Sequence, residues 1–464
     1  MGAIKHKLPG MIMGLLVFVF CASCTTDESI KEPPPNILFF LADDLTFWDI
    51  GCYGSIDART PNINQLARDG MLFTRFYQAV PMCSPTRHNL FTGIYPLRSG
   101  AYPNQTFVYP DTKTVIDYLE PAGYRVALSG KRDIGPEKVF RFEYLGEGDN
   151  PDFSLVDLFI ADAVNHYEPF LLFVCSNEPH TPWDLGQAAR YDPERLILPG
   201  NWVDTPETRK AYASYLAEVE YLDGQFGEAI NILKKYGIQN NTIVIFSSEH
   251  GSAFPFAKWT CYEAGLRTAF IVKYPGVVKP GTVSHALADY NDVVPTLIEL
   301  AGAEIPAGLD GGSLKAVLLG ETEEHKELSF GMQTSRGIVD GPEQYAIRTV
   351  TDGEYRLIVN LNHAKKFKNN ITEKEQAFNY WHSWERASLR NSYAWQQINA
   401  YRYRAAIEFY DVINDPQNLV NLANDPHYAQ RIIQMRKALD EWMIYCGDQG
   451  VETELKAEKR MLPK

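Results

Sequence analysis

Four short apolar runs in this chain end abruptly in polar or charged residues, and that pattern restricts the fold more than any other feature. Ile37-Leu38-Phe39-Phe40-Leu41 leads into Asp43-Asp44. Residues 124–128 lead into Gly130-Lys131, residues 170–175 into Asn177-Glu178-Pro179-His180, and residues 242–246 into Glu249-His250. Runs that are apolar throughout, rather than alternating, read as strands buried on both faces, and hence as a mostly parallel sheet covered by helices on each side. In open α/β sheets ligands bind beyond the carboxyl ends of the strands, so the four polar clusters are expected to meet at one site.

Helical patterns fill the intervals. Thr60-Pro61 suits the cap and first turn of a helix carrying Ile63, Leu66 and Ala67 and closed by Gly70. A longer helix after Pro206 puts Tyr212, Tyr215, Leu216, Val219, Leu222, Phe226, Ile230 and Leu233 on one stripe up to Gly237, the spacing of core packing. Past residue 330 the texture changes. Residues 345–350, Thr351-Asp352-Gly353-Glu354 and residues 355–359 read as a β-hairpin, followed by an aromatic-rich and arginine-rich stretch at 378–403 and a helix with Ile432, Ile433, Leu439 and Trp442. The 464 residues are therefore expected to form a large α/β domain at 36–330 and a smaller α+β subdomain with an antiparallel sheet at 331–464.

The chain begins with Lys5, Lys7, an apolar stretch at 11–20 and Cys21-Ala22-Ser23-Cys24. Residues 1–24 read as a signal peptide whose end resembles a bacterial lipobox, with Cys24 the lipidated residue, and residues 25–35 as a proline-containing linker. The expected location is the periplasm or the outer-membrane surface of a bacterium, with membrane contact confined to the lipid anchor. A formal charge of −14 argues against nucleic-acid binding, which needs a basic surface; an anionic substrate would need a locally positive pocket. Of the seven cysteines, five lie beyond the export segment, and they show neither zinc spacing nor a paired framework. Cys52, Cys175 and Cys446 read as small buried apolar residues.

The segment Pro81-Met82-Cys83-Ser84-Pro85-Thr86-Arg87-His88-Asn89-Leu90-Phe91-Thr92-Gly93 carries the chemistry. Pro85 suits a first helical turn, which places Cys83 just before a helix N-terminus, where an anion is favoured. A thiolate nucleophile and a plain buried cysteine are the two readings open at this point.

Cys83-x-Pro85-x-Arg87 followed by Thr92-Gly93 resembles the signature of type I sulfatases of the alkaline phosphatase superfamily. In that family the cysteine is oxidised to Cα-formylglycine (3-oxoalanine) by a separate formylglycine-generating enzyme. The resemblance runs from Asn36 to about Glu452, and it implies an alkaline-phosphatase-like α/β/α sandwich with a mostly parallel central sheet plus a C-terminal subdomain. It also implies a divalent metal at Asp43, Asp44, Glu249 and His250, with modified Cys83 as a further ligand. Hard oxygen donors imply one Ca²⁺ per chain, with Mg²⁺ the alternative; Glu249 departs from the commoner Asp, and His250, within the usual Asn or His, adds a nitrogen donor. By the same resemblance Arg87 holds the formylglycine, Lys131 and Lys258 clasp the sulfate and supply local positive charge, and His180 or Lys258 protonates the leaving oxygen. A hydroxyl of the hydrated aldehyde attacks sulfur and the second hydroxyl expels sulfate. Many members carry a second histidine after Lys131; here Arg132-Asp133 follow, and Asp133 is the candidate replacement.

Residues 178–183, 254–262 and 442–453 are similar to bacterial polysaccharide sulfatases, including enzymes for galactose or N-acetylgalactosamine 4-sulfate. The expected partner is thus a sulfated carbohydrate, with Trp183, Asp184, Arg267 and Arg336 as candidate sugar contacts. The region of Trp381, Trp384, Trp395 and Arg402 reads as subdomain core, or else as an extension of the sugar surface. Two other classes stay open: a phosphodiesterase or phosphonate monoester hydrolase of the same superfamily, and a non-catalytic glycan-binding relative.

Overall fold

Strands covered on both faces need an apolar side chain at nearly every position, and the central strands of this chain have one. The computed structural model describes residues 1–5, 34–338, 340–373 and 378–460. Cys24, most of the expected signal peptide and most of the linker lie outside the described residues. The principal sheet contains β1 (Asn36–Ala42), β2 (Met71–Phe73), β4 (Arg125–Gly130), β5 (Glu143–Leu145), β6 (Phe170–Cys175), β7 (Thr242–Ser248), β8 (Phe270–Lys273) and β9 (Thr282–Ser284). A separate two-stranded parallel pair joins β3 (Phe76–Tyr77) to β10 (Ala288–Asp289).

The order across the principal sheet is β5-β4-β6-β1-β7-β8-β2-β9. The four apolar runs are therefore the adjacent strands β4, β6, β1 and β7, all mutually parallel. Only β8 runs against its neighbours, pairing antiparallel with both β7 and β2. With β1 between β6 and β7, the chain leaves it in both directions, the topology that opens a crevice at the carboxyl edge.

Alternate residues of the strands feed two cores. Leu38, Phe40, Leu172, Val174, Val244 and Phe246 pack with Leu216, Leu222 and Phe226 of the helix Pro206–Lys235. Ile37, Phe39, Leu41, Leu171, Phe173, Ile243 and Ile245 pack with Leu90 and Phe91 of the helix Cys83–Thr92 and with Val294 and Leu297 of the helix Val293–Leu300. These are the two helical layers of an α/β/α sandwich. The helix Pro61–Asp69 opens on its proline and ends at Gly70, though Thr60 makes no side-chain cap; its hydroxyl accepts from Gly51 N instead (2.9 Å).

The second sheet is antiparallel, in the order β11 (Ser329–Gln333), β12 (Ile347–Thr351), β13 (Tyr355–Asn360), β14 (Ile407–Asp411). The hairpin between β12 and β13 turns at Gly353, whose φ of 83° favours glycine, while Asp352 accepts from Glu354 N and Tyr355 N. Leu439 and Trp442 of the helix Ala429–Tyr445 are buried, and Trp442 stacks on Phe330. Ile433 of the same helix faces outward and is 62% exposed. Trp381 and Trp384 are fully buried, and Arg402 lies over the Trp381 ring while bonding Glu385. That stretch is subdomain core, with Trp395 left outside. The two sheets are tied by the buried pair of Arg356 on β13 with Glu263 (2.6 Å).

Candidate active site

The rim begins with backbone. Asp43 N donates to Glu178 O (3.0 Å), Lys131 N to Cys175 O (2.9 Å) and Glu249 N to Ala42 O (2.8 Å). These bonds carry the sheet's register one residue past the strands and fix the post-strand side chains relative to one another. Gly130, with a φ of 90°, is needed here, since a Cβ would lie 2.1 Å from Cys175 O.

The helix Cys83–Thr92 approaches the same rim. Cys83 is its first residue, not the one before it, and Met82 is the cap. Every residue of this helix is buried, although six are polar, so each polar group must find a partner or cost free energy. Thr86 Oγ1 donates to Val80 O (2.5 Å), Asn89 Nδ2 to Asn291 Oδ1 (2.7 Å) and Thr92 Oγ1 to His88 O (2.6 Å). Arg87 is spent on the site: Nη1 donates to Lys131 O and Nη2 to Glu249 Oε2, both at 2.7 Å.

Around Cys83 Sγ stand Asp43 Oδ1 at 3.6 Å and His250 Nε2 at 3.4 Å. Lys131 pairs closely with Asp43, and Lys258 Nζ lies 2.6 and 2.9 Å from the two Asp44 oxygens. His180 Nε2 is 3.8 Å from Asp44 Oδ2. Nine of the expected residues are thus brought together: Asp43, Asp44, Cys83, Arg87, Lys131, His180, Glu249, His250 and Lys258. Asp133 stands at the edge, exposed, with Oδ2 3.5 Å from Lys131 Nζ.

Electrostatics separate the roles. Burial opposes charge on Asp43, but Lys131, His180 and Lys258 hold its carboxyl well below the usual range. Burial, and then the charge of Asp43, pushes the Cys83 thiol well above its ordinary value, which disfavours the thiolate reading of this cysteine. Burial pulls His250 down to about 4, leaving a neutral imidazole. Its Nδ1 is 3.0 Å from Gly251 O, which assigns the N–H there and the lone pair to Nε2, facing Cys83. In His180, Nδ1 is 2.7 Å from Thr181 O, which leaves Nε2 as the atom presented to the site.

The donor set fits a hard divalent cation. Ligand atoms of Asp43, Asp44, Cys83 and His180, and of Asp43, Cys83, Glu249 and His250, lie within 4.8 Å of one another in each group. Glu249 Oε1 is buried with no hydrogen-bond partner, a free acceptor facing the cluster.

The sugar-contact candidates are distributed differently. The Trp183 ring stacks on Phe254 (5.0 Å, 19°) and Phe378 (6.1 Å, 20°) and meets Tyr215 edge-on, while its N–H donates to Pro179 O (2.9 Å). It acts as a prop for the His180 loop, with its ring taken up by protein. Asp184 is exposed beside it. Arg267 is engaged by Phe47 and Glu263, and Arg336 by Glu458, so the structure does not bring these two to the cluster.

One residue here has no signal in the sequence. His88 is fully buried, with Nδ1 2.7 Å from Ser84 O and Nε2 accepting from Gly135 N (3.0 Å). It ties the turn carrying Cys83 to the loop carrying Lys131 and Asp133, and a lone histidine within a motif does not announce such a bond.

Residues 35–303 match the family described as Sulfatase, and residues 248–368 match that described as N-sulphoglucosamine sulphohydrolase, C-terminal. The chain is 32% identical over 464 aligned residues to an ulvan-active sulfatase of Formosa agariphila, covering 96% of this chain and 90% of that one. It is 27% identical to the N-sulphoglucosamine sulphohydrolase of Homo sapiens, covering 93% and 94%. In three dimensions it resembles a protein solved in complex with its substrate D-glucosamine-2-N,6-O-disulfate, with a TM-score of 0.67, 19% identity and coverage of 90% and 99%. A family match over more than half of the chain and an alignment over nearly all of it lead to one conclusion: the chain belongs to the sulfatase family and is an enzyme that hydrolyses sulfate esters.

Proposed function

We propose that this sulfatase removes sulfate from a carbohydrate, using formylglycine made from Cys83 beside one divalent cation, Ca²⁺ in the first instance. The observation that carries the reading is the placement of Cys83 at the first turn of a buried polar helix, within 3.6 Å of Asp43 and 3.4 Å of His250. The relatives named for ulvan and for N-sulphoglucosamine, and the neighbour bound to a disulfated glucosamine, support a sugar sulfate. Galactose or N-acetylgalactosamine 4-sulfate is the first linkage to test. The basic and apolar start of the chain, ending at Cys24, supports export with a lipid anchor.

The cation, held by Asp43, Asp44, Glu249 and His250, would supply Lewis acidity beside the oxidised Cys83 side chain. The chain's own residues do the rest. Arg87 orients the residue 83 turn against Glu249 and the Lys131 carbonyl. Lys131 and Lys258 place two ammonium groups where charge builds on the sulfuryl oxygens, the local positive field that a net charge of −14 otherwise denies an anion. His180, its Nδ1–H donated to Thr181 O, acts as the acid in its imidazolium form, in which Nε2 also carries a proton to give to the departing sugar oxygen. Asp133, 3.5 Å from Lys131, is the base available on that side.

The test is mass spectrometry of active protein together with sulfate release from defined sulfated mono- and disaccharides, aryl sulfate, phosphodiester and phosphonate ester. Formylglycine at residue 83 and preferential turnover of a sugar sulfate are expected. An unmodified thiol in fully active protein, or faster phosphonate cleavage, would overturn the proposal.

A further inference from the structure

Lys258 is delivered by a loop with an unusual backbone. Phe256 and Trp259, on either side of it, adopt φ values of 68° and 62°, a left-handed conformation that bulky residues rarely take. Phe256 is anchored by its ring on Tyr262 (5.6 Å) and Tyr401 (5.2 Å). Trp259 is anchored by its backbone, whose N–H donates to Pro81 O (3.0 Å), two residues before Cys83. Its indole Nε1 is buried and has no hydrogen-bond partner, a second unfavourable feature at the same residue. Glycine would relieve the first and phenylalanine the second, yet tryptophan stands here. What its side chain contributes is a ring face 5.0 Å beneath the Lys258 ammonium, whose hydrogen-bond partner is Asp44.

We propose that Trp259 is a positioning residue for Lys258: its π face holds the ammonium at the rim of the site, and the strained turn is retained to put that face there. The inference rests on the proposed role of Lys258 at the sulfate ester. An ammonium held by both the Asp44 carboxylate and the ring keeps one geometry, so it meets the same oxygen in each turnover. Its contribution is greatest where the departing oxygen is a poor leaving group, as in a sugar alkoxide, and small for an activated phenolate.

Trp259→Leu keeps bulk and loses the π face; Trp259→Phe keeps a π face and loses the indole N–H. With Tm and circular dichroism confirming that both variants fold, Trp259→Leu should lower kcat on a sugar sulfate about tenfold and on 4-nitrophenyl sulfate by less than about threefold, with Trp259→Phe close to the parent. The second readout needs no substrate. Acetylation of Lys258 by an N-hydroxysuccinimide ester, followed by mass spectrometry, should be slow in the parent and in Trp259→Phe and faster in Trp259→Leu. Equal losses on the two substrates, or unchanged Lys258 acetylation in Trp259→Leu, would overturn the proposal. A parent enzyme inactive on every sulfate ester would instead count against the function proposed above, while the acetylation result still decides the role of Trp259.

Discussion

The pair of Arg87 and Glu249 invites the sharpest test. Both side chains have no solvent exposure, Arg87 Nη2 is 2.7 Å from Glu249 Oε2, and Nη1 makes a second bond of 2.7 Å to Lys131 O. Arg87→Met fills similar space but strips the carboxylate of its cation and leaves the Lys131 carbonyl without this donor. Removing one partner of a buried ion pair costs about 3–5 kcal/mol, because the remaining charge stays desolvated. Glu249→Gln alone leaves the guanidinium without its counter-charge and should cost a comparable amount. In the double variant neither charge is stranded, so the two losses should fall short of their sum by at least about 2 kcal/mol. Urea unfolding of the four chelator-treated proteins at pH 9, above the value of about 8 to which burial raises Glu249, followed by tryptophan fluorescence, gives the comparison. A loss below about 1 kcal/mol for Arg87→Met, or additive losses in the cycle, would refute the view that this pair locks the helix Cys83–Thr92 to the sheet.

Three further outcomes are expected. Ca²⁺ at about a hundredfold above its Kd should stabilise the protein by about 2.7 kcal/mol, and Asp43→Asn should weaken this; no shift of Tm with Ca²⁺ or Mg²⁺ would remove the metal site. Asp49, raised to about 7 by burial against its hydrogen bonds from Tyr212 and Tyr215, keeps its proton in the folded state at pH values where the unfolded chain, near 3.8, has lost it. Its contribution to stability therefore falls as pH rises from 3.8 to 7, by about 4 kcal/mol, and Asp49→Asn should gain on the parent by that amount between pH 4 and pH 8; parallel pH–stability curves would refute this. His88→Leu strands the Gly135 N–H, and should cost about 1–3 kcal/mol in unfolding experiments and raise KM through the Lys131 loop, whereas an unchanged KM would confine His88 to a packing role.

The main lines of the fold and the location of the site were legible in the chain itself. A strand covered on both faces cannot alternate, so the runs ending at Asp43, Lys131, His180 and Glu249 identified parallel strands, and their carboxyl ends identified the rim. Pro85 did the same for the start of the helix behind Cys83, because proline fits a first turn, where its missing N–H costs nothing. Residue type alone left orientation open on the helix Ala429–Tyr445, where Leu439 and Trp442 pack inward and Ile433 faces outward.

Partnership was a different matter. That Lys131 meets Asp43 and Lys258 meets Asp44, that His88 reaches Gly135, and that the Trp183 ring is occupied by Phe254 and Phe378 depend on segments 47 to 214 residues apart in the chain. Arg267 and Arg336 have the right chemistry for a sulfated sugar, yet packing engages them with Glu263 and Glu458. Residue types and their local spacing determined which chemistry was on offer. Only the tertiary structure decided which groups share a desolvated pocket, because hydrogen bonds and ion pairs act over a few ångströms of space rather than along the chain.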